Sequence, residues 1–474
     1  MLLYKQGRFL ESIPYFRRAI EKQTWKNPNP ASGEAYFHLG LALVMCGNEE
    51  DAFDAFYKSV WCADTQSGGF YWLACLSARR GEYREALEFI NQSLVRNWHN
   101  MKARTLKAAL LRMLCLDNKT FIQESLDIDP LDFGLLYEQG LALQEQESWL
   151  NQMRLLSHNY LVLSLDYMKA GLYDDALAIL SECQDPSPLI AYYQGYAWEM
   201  KKDSCQAELF YAEGEKRDYS KCFPNQPEEI PILEGAIWAL SKAPRAHYYL
   251  GCLLYDKRQY QKAALHWEQA LAQDPDFAMA SRNLAIYFYN KENDIPKALE
   301  YMKNAFELEP TYSRFLQEYN QLMQKAAISN EEQLSLLSEH LDLVQSRDAL
   351  YVEYIGLLNR TGQYDLALEH LSSHQFHPWE GGEGKVSAQY RYALIHKAIR
   401  LIERGDYDQA IGLLEDSKTY PHNLGEGKLP GTQDAMADYY IGKAYLGKQD
   451  YEASDKYFHM AVQKRRSSLQ CTLL

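Results

Sequence analysis

Ala246-His247-Tyr248-Tyr249-Leu250-Gly251-Cys252-Leu253-Leu254, followed after a short polar break by Tyr260, Ala263, Trp267, Ala270 and Pro275, sets the frame in which the rest of the chain is read. Leu250, Leu254, Tyr260 and Trp267 recur at helical spacing and give each of two helices one apolar stripe to bury. Gly251 and Ala263 are small where those helices must approach closely. Pro275 follows the second stripe and discourages its continuation. The stretch therefore reads as a helix-turn-helix of about 34 residues.

The positions and residue types of this stretch resemble the tetratricopeptide (TPR) pattern, and variations on it recur along the chain. The resemblance implies an all-α fold, a TPR-type α-solenoid in which antiparallel helix pairs stack as a right-handed superhelix, with irregular helical insertions. It implies a scaffold; a ligand does not follow from it. In such arrays length means repeat number, because each unit packs on its neighbours, so 474 residues need not mean several globular domains. Roughly a dozen helix pairs or partial pairs are expected.

Taken in order, residues 1–158 hold N-terminal units. Gly7, Phe9, Ser12, Phe16 and Ala19 match a turn and second helix, yet only six residues precede the turn, so the first helix is expected to be truncated. Leu39, Gly40, Gly47, Ala52 and Phe56, then Leu73, Ala74, Gly81, Ala86 and Ile90, mark regular units. A weaker one carries Leu106, Leu110, Ile122 and Pro130, and Leu131 to His158 is expected as an irregular helical connection. Central units fill 159–310, interrupted at 222–244, where Pro224, Pro227 and Pro231 precede an apolar segment that reads as a loop plus one extra helix. The turn near Asn293 has one residue too many. A second irregular connection covers 311–346, with Ser329 and Glu332 spaced as a capping box. The units of 347–474 turn at Gly362, Gly405 and Gln449, and the polarity after Ala461 suits a capping end.

Composition narrows the function. The chain is 47% hydrophobic and 24% charged, which fits a folded chain, and its formal charge of −15 disfavours nonspecific nucleic-acid or anionic-membrane binding. The one short basic run, Lys464 to Arg466, reads as a solvated helix end or, alternatively, a binding patch. Nine scattered cysteines without a Cys-x-x-Cys pair read as reduced, mostly buried thiols in a cytoplasmic protein. Neither a signal-peptide core nor a bilayer-spanning run is visible. No cofactor, metal site or catalytic constellation is expected, since Gly-x-Ser-x-Gly, His-Glu-x-x-His and dinucleotide fingerprints are absent.

Two places could bind a partner. The fifth position of the first helix commonly faces the concave surface of a TPR array, and the register puts Phe37, Tyr71, Tyr192, Tyr248 and Tyr439 there. Such rings would suit peptide or sugar contact; a register shifted by one residue would return them to packing between helices. A Lys/Asn clamp for a terminal carboxylate is not matched, because Tyr248 and Cys252 stand at its places and Asn283 alone fits. The second place is a pair of loops, Phe376 to Lys385 and Tyr420 to Lys428, that carry Gly-Glu-Gly-Lys at the same point in successive repeats. Equivalent loops of a solenoid lie side by side, so His377, Trp379, Glu380, Glu383, Gly384, Lys385, Glu426, Gly427 and Lys428 form one candidate edge with Trp379 as a platform. The competing reading is local: glycine permits turns closed to other residues, and the charges pair with each other. Neither loop is a P-loop, because Val386 and Leu429 follow the lysines.

A closer resemblance rests on Trp72-Leu73-Ala74-Cys75 with Arg79-Arg80-Gly81, on Asp129 to Phe133, on Cys222-Phe223-Pro224-Asn225 with Glu228-Glu229-Ile230, and on Phe376 to Val386 and Tyr420 to Gly431. These are similar to the C-terminal TPR array of bacterial proteins that carry an N-terminal mutarotase-like β-sandwich domain. The resemblance implies a carbohydrate-linked role and a β-sandwich partner, in cis or in trans. It carries no catalytic residue over to this chain. The expected function is a non-catalytic scaffold for a protein partner. The alternative is an accessory part of a carbohydrate-active enzyme whose sugar site the glycine-loop edge helps to form.

Overall fold

The computed structural model describes residues 1–471 apart from 146, 219, 221, 430, 431 and 433, and of the side chains at 148 and 464–471 nothing is described. The basic run Lys464 to Arg466, Cys471 and Gly431 thus lie outside the described residues. Among the described residues there are twenty-eight α-helices and no strand. The chain divides into two compact units, Met1–Leu284 and Ala285–Leu474.

In the first unit the stretch from Ala246 forms helices Pro244–Asp256 and Tyr260–Gln273. Leu250, Leu254, Ala263, Trp267 and Ala270 are buried, and Tyr260 is half-buried. A Cβ on Gly251 would lie 2.5 Å from the Trp267 indole nitrogen, so glycine lets the Trp267 ring close over the first helix. Burial of a side chain such as Leu250 contributes about 1.5–3 kcal/mol. The turn between helices takes a left-handed residue in most repeats: glycine at Gly47, Gly81 and Gly171, but Lys202 and Arg258 in the later pairs.

The N-terminal helix is four residues long, Leu2–Lys5. The irregular helical connection expected between 131 and 158 consists of two helices, Phe133–Leu143 and Glu147–Met153. Their signal is hidden because Gln144, not glycine, takes the left-handed position that ends the first of them. The Pro-containing segment gives a loop and the helix Glu229–Ala239, whose Pro231 sits in the first turn, where its missing N–H costs little. Ile230, Ile232, Leu233 and Ala236 are buried. This inserted helix meets the start of the chain: the Gln259 side-chain amide donates to the Gln6 carbonyl at 2.7 Å, and a Cβ on Gly7 would strike Ile230.

In the second unit the extra turn residue near Asn293 is absorbed as a π-helical turn, Phe288–Glu292, closed by Asn293 at φ 55°. The Glu332 amide donates to Ser329 Oγ at 3.2 Å and opens the helix Asn330–Glu339. The region 311–346 thus holds Ser313–Lys325, Asn330–Glu339 and the short Leu341–Gln345, with Ala327 at φ 56° hiding the turn from a glycine-based reading. The pairs Asp348–Arg360 with Tyr364–Ser373 and Lys385–Arg404 with Tyr407–Asp416 follow, and Ala435–Gly447 precedes the last helix, Tyr451–Cys471.

Of the eight cysteines described, all are free; Cys62, Cys75 and Cys222 are buried, whereas Cys46, Cys115 and Cys205 are exposed, so burial is not the rule expected for them. No helix among the described residues is long and apolar enough to cross a membrane.

Candidate functional site

The two glycine loops lie against each other in the second unit. The Phe376 amide donates to the Asn423 carbonyl at 2.9 Å, and the Asn423 side-chain amide donates to the carbonyls of Leu371 and His374 at 2.7 and 3.0 Å. Glu426 reaches across to the start of the helix Lys385–Arg404. Its two carboxylate oxygens accept from the Gly384 amide at 2.6 Å and the Ser387 amide at 2.7 Å, satisfying two donors that the first turn of a helix leaves unpaired and placing a negative charge at the positive end of the helix dipole. Lys428 pairs with Asp434 at 2.5 Å.

The first loop is anchored by Asp348, at the start of its own helix. The Asp348 carboxylate meets His374 Nε2 at 2.7 Å and accepts from the His377 amide at 2.8 Å. Burial pushes the Asp348 carboxyl up, but these bonds outweigh it and hold the group below its ordinary range. Trp379 folds over Gly382, where a Cβ would fall 2.2 Å from the indole. Between the loops lies a cleft of about 340 Å³ with Val386, Leu424 and Leu429 as its apolar floor and His377, Trp379, Glu380, Glu383 and Glu426 on its sides. Val386 and Leu424 are buried, Trp379 is half-buried, and His377, Glu380, Glu383, Lys385, Gly427 and Lys428 are exposed.

In the first unit a larger cavity, about 430 Å³, is lined by the first helices of four pairs that are not all consecutive in the chain. Glu34–Met45 supplies Leu41 and Met45, Gln66–Arg79 supplies Trp72 and Arg79, Ser157–Lys169 supplies Met168 and Lys169, and Pro188–Met200 supplies Tyr196, Glu199 and Met200. The inserted helix forms another wall with Ile232, Glu234 and Trp238. Arg79 joins the elements: Nη1 meets Glu49 at 2.6 Å and Nε donates to the Lys169 carbonyl at 2.8 Å. Lys169 lies 3.6 Å from Glu228, and the Tyr211 hydroxyl donates to Glu199 at 2.5 Å. Trp72, Arg79 and Glu228, separate in sequence, converge here. Trp238 is 87% exposed at this cavity, an aromatic side chain left in water on a helix that buries Ile230, Ile232, Leu233 and Ala236.

The rings assigned to an open groove are mostly elsewhere. Tyr192 is fully buried, and its hydroxyl donates to Glu215 at 2.7 Å. Burial, and then Glu215, raise the Tyr192 hydroxyl far above its usual pKa. Tyr248 is buried against Phe277 at 4.8 Å between ring centres, and half-buried Phe37 sits 5.6 Å from Phe56. Tyr71 is buried at the edge of a smaller cavity with Lys102, Asp166 and Tyr167. Tyr439 is the exposed member of the set, at 42%. Tyr71, Tyr192 and Tyr248 are buried because the helices are close enough for large rings to fill the gap, which corrects the expectation that these rings line a concave aromatic surface.

Sequence reasoning missed Asp348, Asn423 and the cavity residues Met168, Glu199 and Trp238. It also missed Glu215, which caps the helix Pro244–Asp256 by accepting from the Arg245 and Ala246 amides, each at 2.8 Å. An isolated Glu or Asp just before a helix one repeat away gives no local sequence signal. Trp238 could have been singled out as a tryptophan on a helix with no polar face.

A tetratricopeptide-repeat family model matches residues 244–277, and a second tetratricopeptide-repeat model matches residues 1–66. Among solved structures, MamA (41-end) from Desulfovibrio magneticus RS-1 is 19% identical over 40% of this chain and 97% of its own, with a TM-score of 0.25. Yeast Tom70 is 12% identical over 93% of this chain and 94% of its own, with a TM-score of 0.27. The human IFIT1 dimer with PPP-AAAA is 13% identical over 95% of this chain and 94% of its own, also at 0.27. Superpositions this loose say nothing of ligand or partner. The chain thus carries tetratricopeptide repeats at 1–66 and 244–277, within an all-α fold of the TPR-type α-solenoid class.

Proposed function

We propose that the chain is a non-catalytic protein-interaction scaffold whose first unit holds an extended peptide segment of a partner in its inner cavity. The observation that supports this reading is the cavity of about 430 Å³, walled by the first helices of four pairs and by the inserted helix. Met45, Met168 and Met200 give it adaptable apolar surface, and Trp238 is positioned to bury a large area when a segment enters. A phage-displayed library of random dodecapeptides panned on the full chain tests it. Enriched peptides should lose about tenfold or more in affinity for Trp238→Ala, the scale of an aromatic anchor. No enrichment, or enriched peptides indifferent to cavity substitutions, would sink this reading.

For the loop edge of the second unit the resemblance suggests a β-sandwich partner of the mutarotase type, and through it a link to carbohydrate. The alternative, that this edge completes a sugar site, draws its support from Trp379 lying half-exposed over Gly382 beside Glu380 and Glu383. Titration with maltooligosaccharides, with Trp379→Ala as the control, separates the two.

A further inference from the structure

We infer that the cleft between the glycine loops is a receptor for a lysine or arginine side chain of a protein partner, with the aliphatic stem on its apolar floor and the charged head between Trp379, Glu380 and Glu383. This rests on the scaffold reading and says what the loop edge recognises.

The walls are fixed before any ligand arrives. Asn423 and Asp348 tie the first loop down, and Glu426 ties the second loop to the helix that starts at Lys385. A preformed site avoids the ordering cost that weakens most small contacts. The floor of Val386, Leu424 and Leu429 is apolar, and its volume of about 340 Å³ exceeds what one side chain needs.

The charge on the lining selects the ligand. It holds three carboxylates, Glu380, Glu383 and Glu426, and neither lysine nor arginine; His377 is the one other titratable group. The charge of Glu426 is already met by two amides and a helix N-terminus. Glu380 and Glu383 remain, both exposed. An indole beside two carboxylates favours a cation, through the face of the ring as well as through charge. A neutral sugar would use the ring but not the charge, and an anionic ligand would be repelled. The long aliphatic stems of lysine and arginine suit an apolar floor below a charged rim.

The dodecapeptide library panned on the full chain, with each enriched peptide assayed against variants, tests this. One class of peptides should need Trp379 and carry a lysine or arginine beside aliphatic residues. Its binding should fall about tenfold for Trp379→Ala and for Glu380→Gln with Glu383→Gln, and should weaken as NaCl rises from about 0.05 to 0.5 M. The two glutamates are exposed, so their replacement leaves the fold intact and keeps the test decisive should Trp379→Ala loosen the loop. Trp379-dependent peptides without a cation, or binding indifferent to the paired Gln variant, would overturn the inference. So would maltohexaose binding through Trp379 with no peptide of that class. Peptides that depend on Trp238 alone would leave the scaffold reading standing while this inference fails; no enriched peptide at all would remove both.

Discussion

In the loop from Phe376, Glu383 and Lys385 of Gly-Glu-Gly-Lys stand exposed. In the loop from Tyr420 the same residues are occupied: Glu426 caps the helix Lys385–Arg404, and Lys428 pairs with Asp434. Identical words in successive repeats therefore do different work, because the second loop has a helix start in front of it and the first has an open cleft. The local reading, in which glycines shape turns and charges pair nearby, describes the second loop. The first leaves Glu383 and Lys385 exposed. Repetition in sequence locates a structural position without fixing its role.

The sharpest way to break this contrast is at the glycines. Gly425 has φ 72°, and a Cβ there would fall 2.4 Å from the Phe376 carbonyl oxygen, a backbone atom that cannot move aside without tearing the loop pairing. Gly425→Ala should cost on the order of 3–4 kcal/mol, combining left-handed strain with the clash. Gly427 meets nothing within 4 Å and is not in the left-handed region, so Gly427→Ala should stay within about 0.5 kcal/mol. Urea unfolding of the two variants measures the difference; equal losses would mean that the loops are not locked together as described.

The carboxylates give the next largest separation. Glu426→Gln keeps one acceptor but turns an N–H toward a helix amide, leaving a buried donor unmet, and should cost about 2 kcal/mol. Glu383→Gln removes a solvated charge and should change stability by less than about 0.5 kcal/mol. If the two cost the same, the glutamates have the same role and the exposed set in the first loop is not held in reserve for a ligand.

How much of this could be read from residues alone follows from the range of each interaction. Gly251 against Trp267 and the inserted helix that follows Pro224 and Pro227 were legible, since spacing and chain-breaking residues act within a few positions. The repeat of Gly-Glu-Gly-Lys also pointed to one edge. What escaped was long-range. Asp348 acts on His377 twenty-nine positions on, and Glu426 on Gly384 forty-two back. The turns at Gln144 and Ala327 escaped because the left-handed residue is not glycine. Tyr71, Tyr192 and Tyr248 were assigned to a groove because helical period gives a face but not the distance to the next helix.

The smallest effect, and the finest test of the two anchors, is in acid. The His377 amide is held by the Asp348 carboxylate, and the neighbouring Phe376 amide by the Asn423 carbonyl, which does not titrate. Asp348 has its folded pKa depressed below the ordinary 3.8, so the unfolded or opened state binds the proton more readily than the folded one. The stabilisation is then complete above about pH 4 and is lost as pH falls through the lower folded value. Hydrogen exchange followed by NMR, corrected for the intrinsic rate at each pH, should show His377 losing protection relative to Phe376 below about pH 4. Asp348→Asn should abolish the acid dependence of that ratio. Parallel loss at both amides would instead mean that acid opens the loops as one piece.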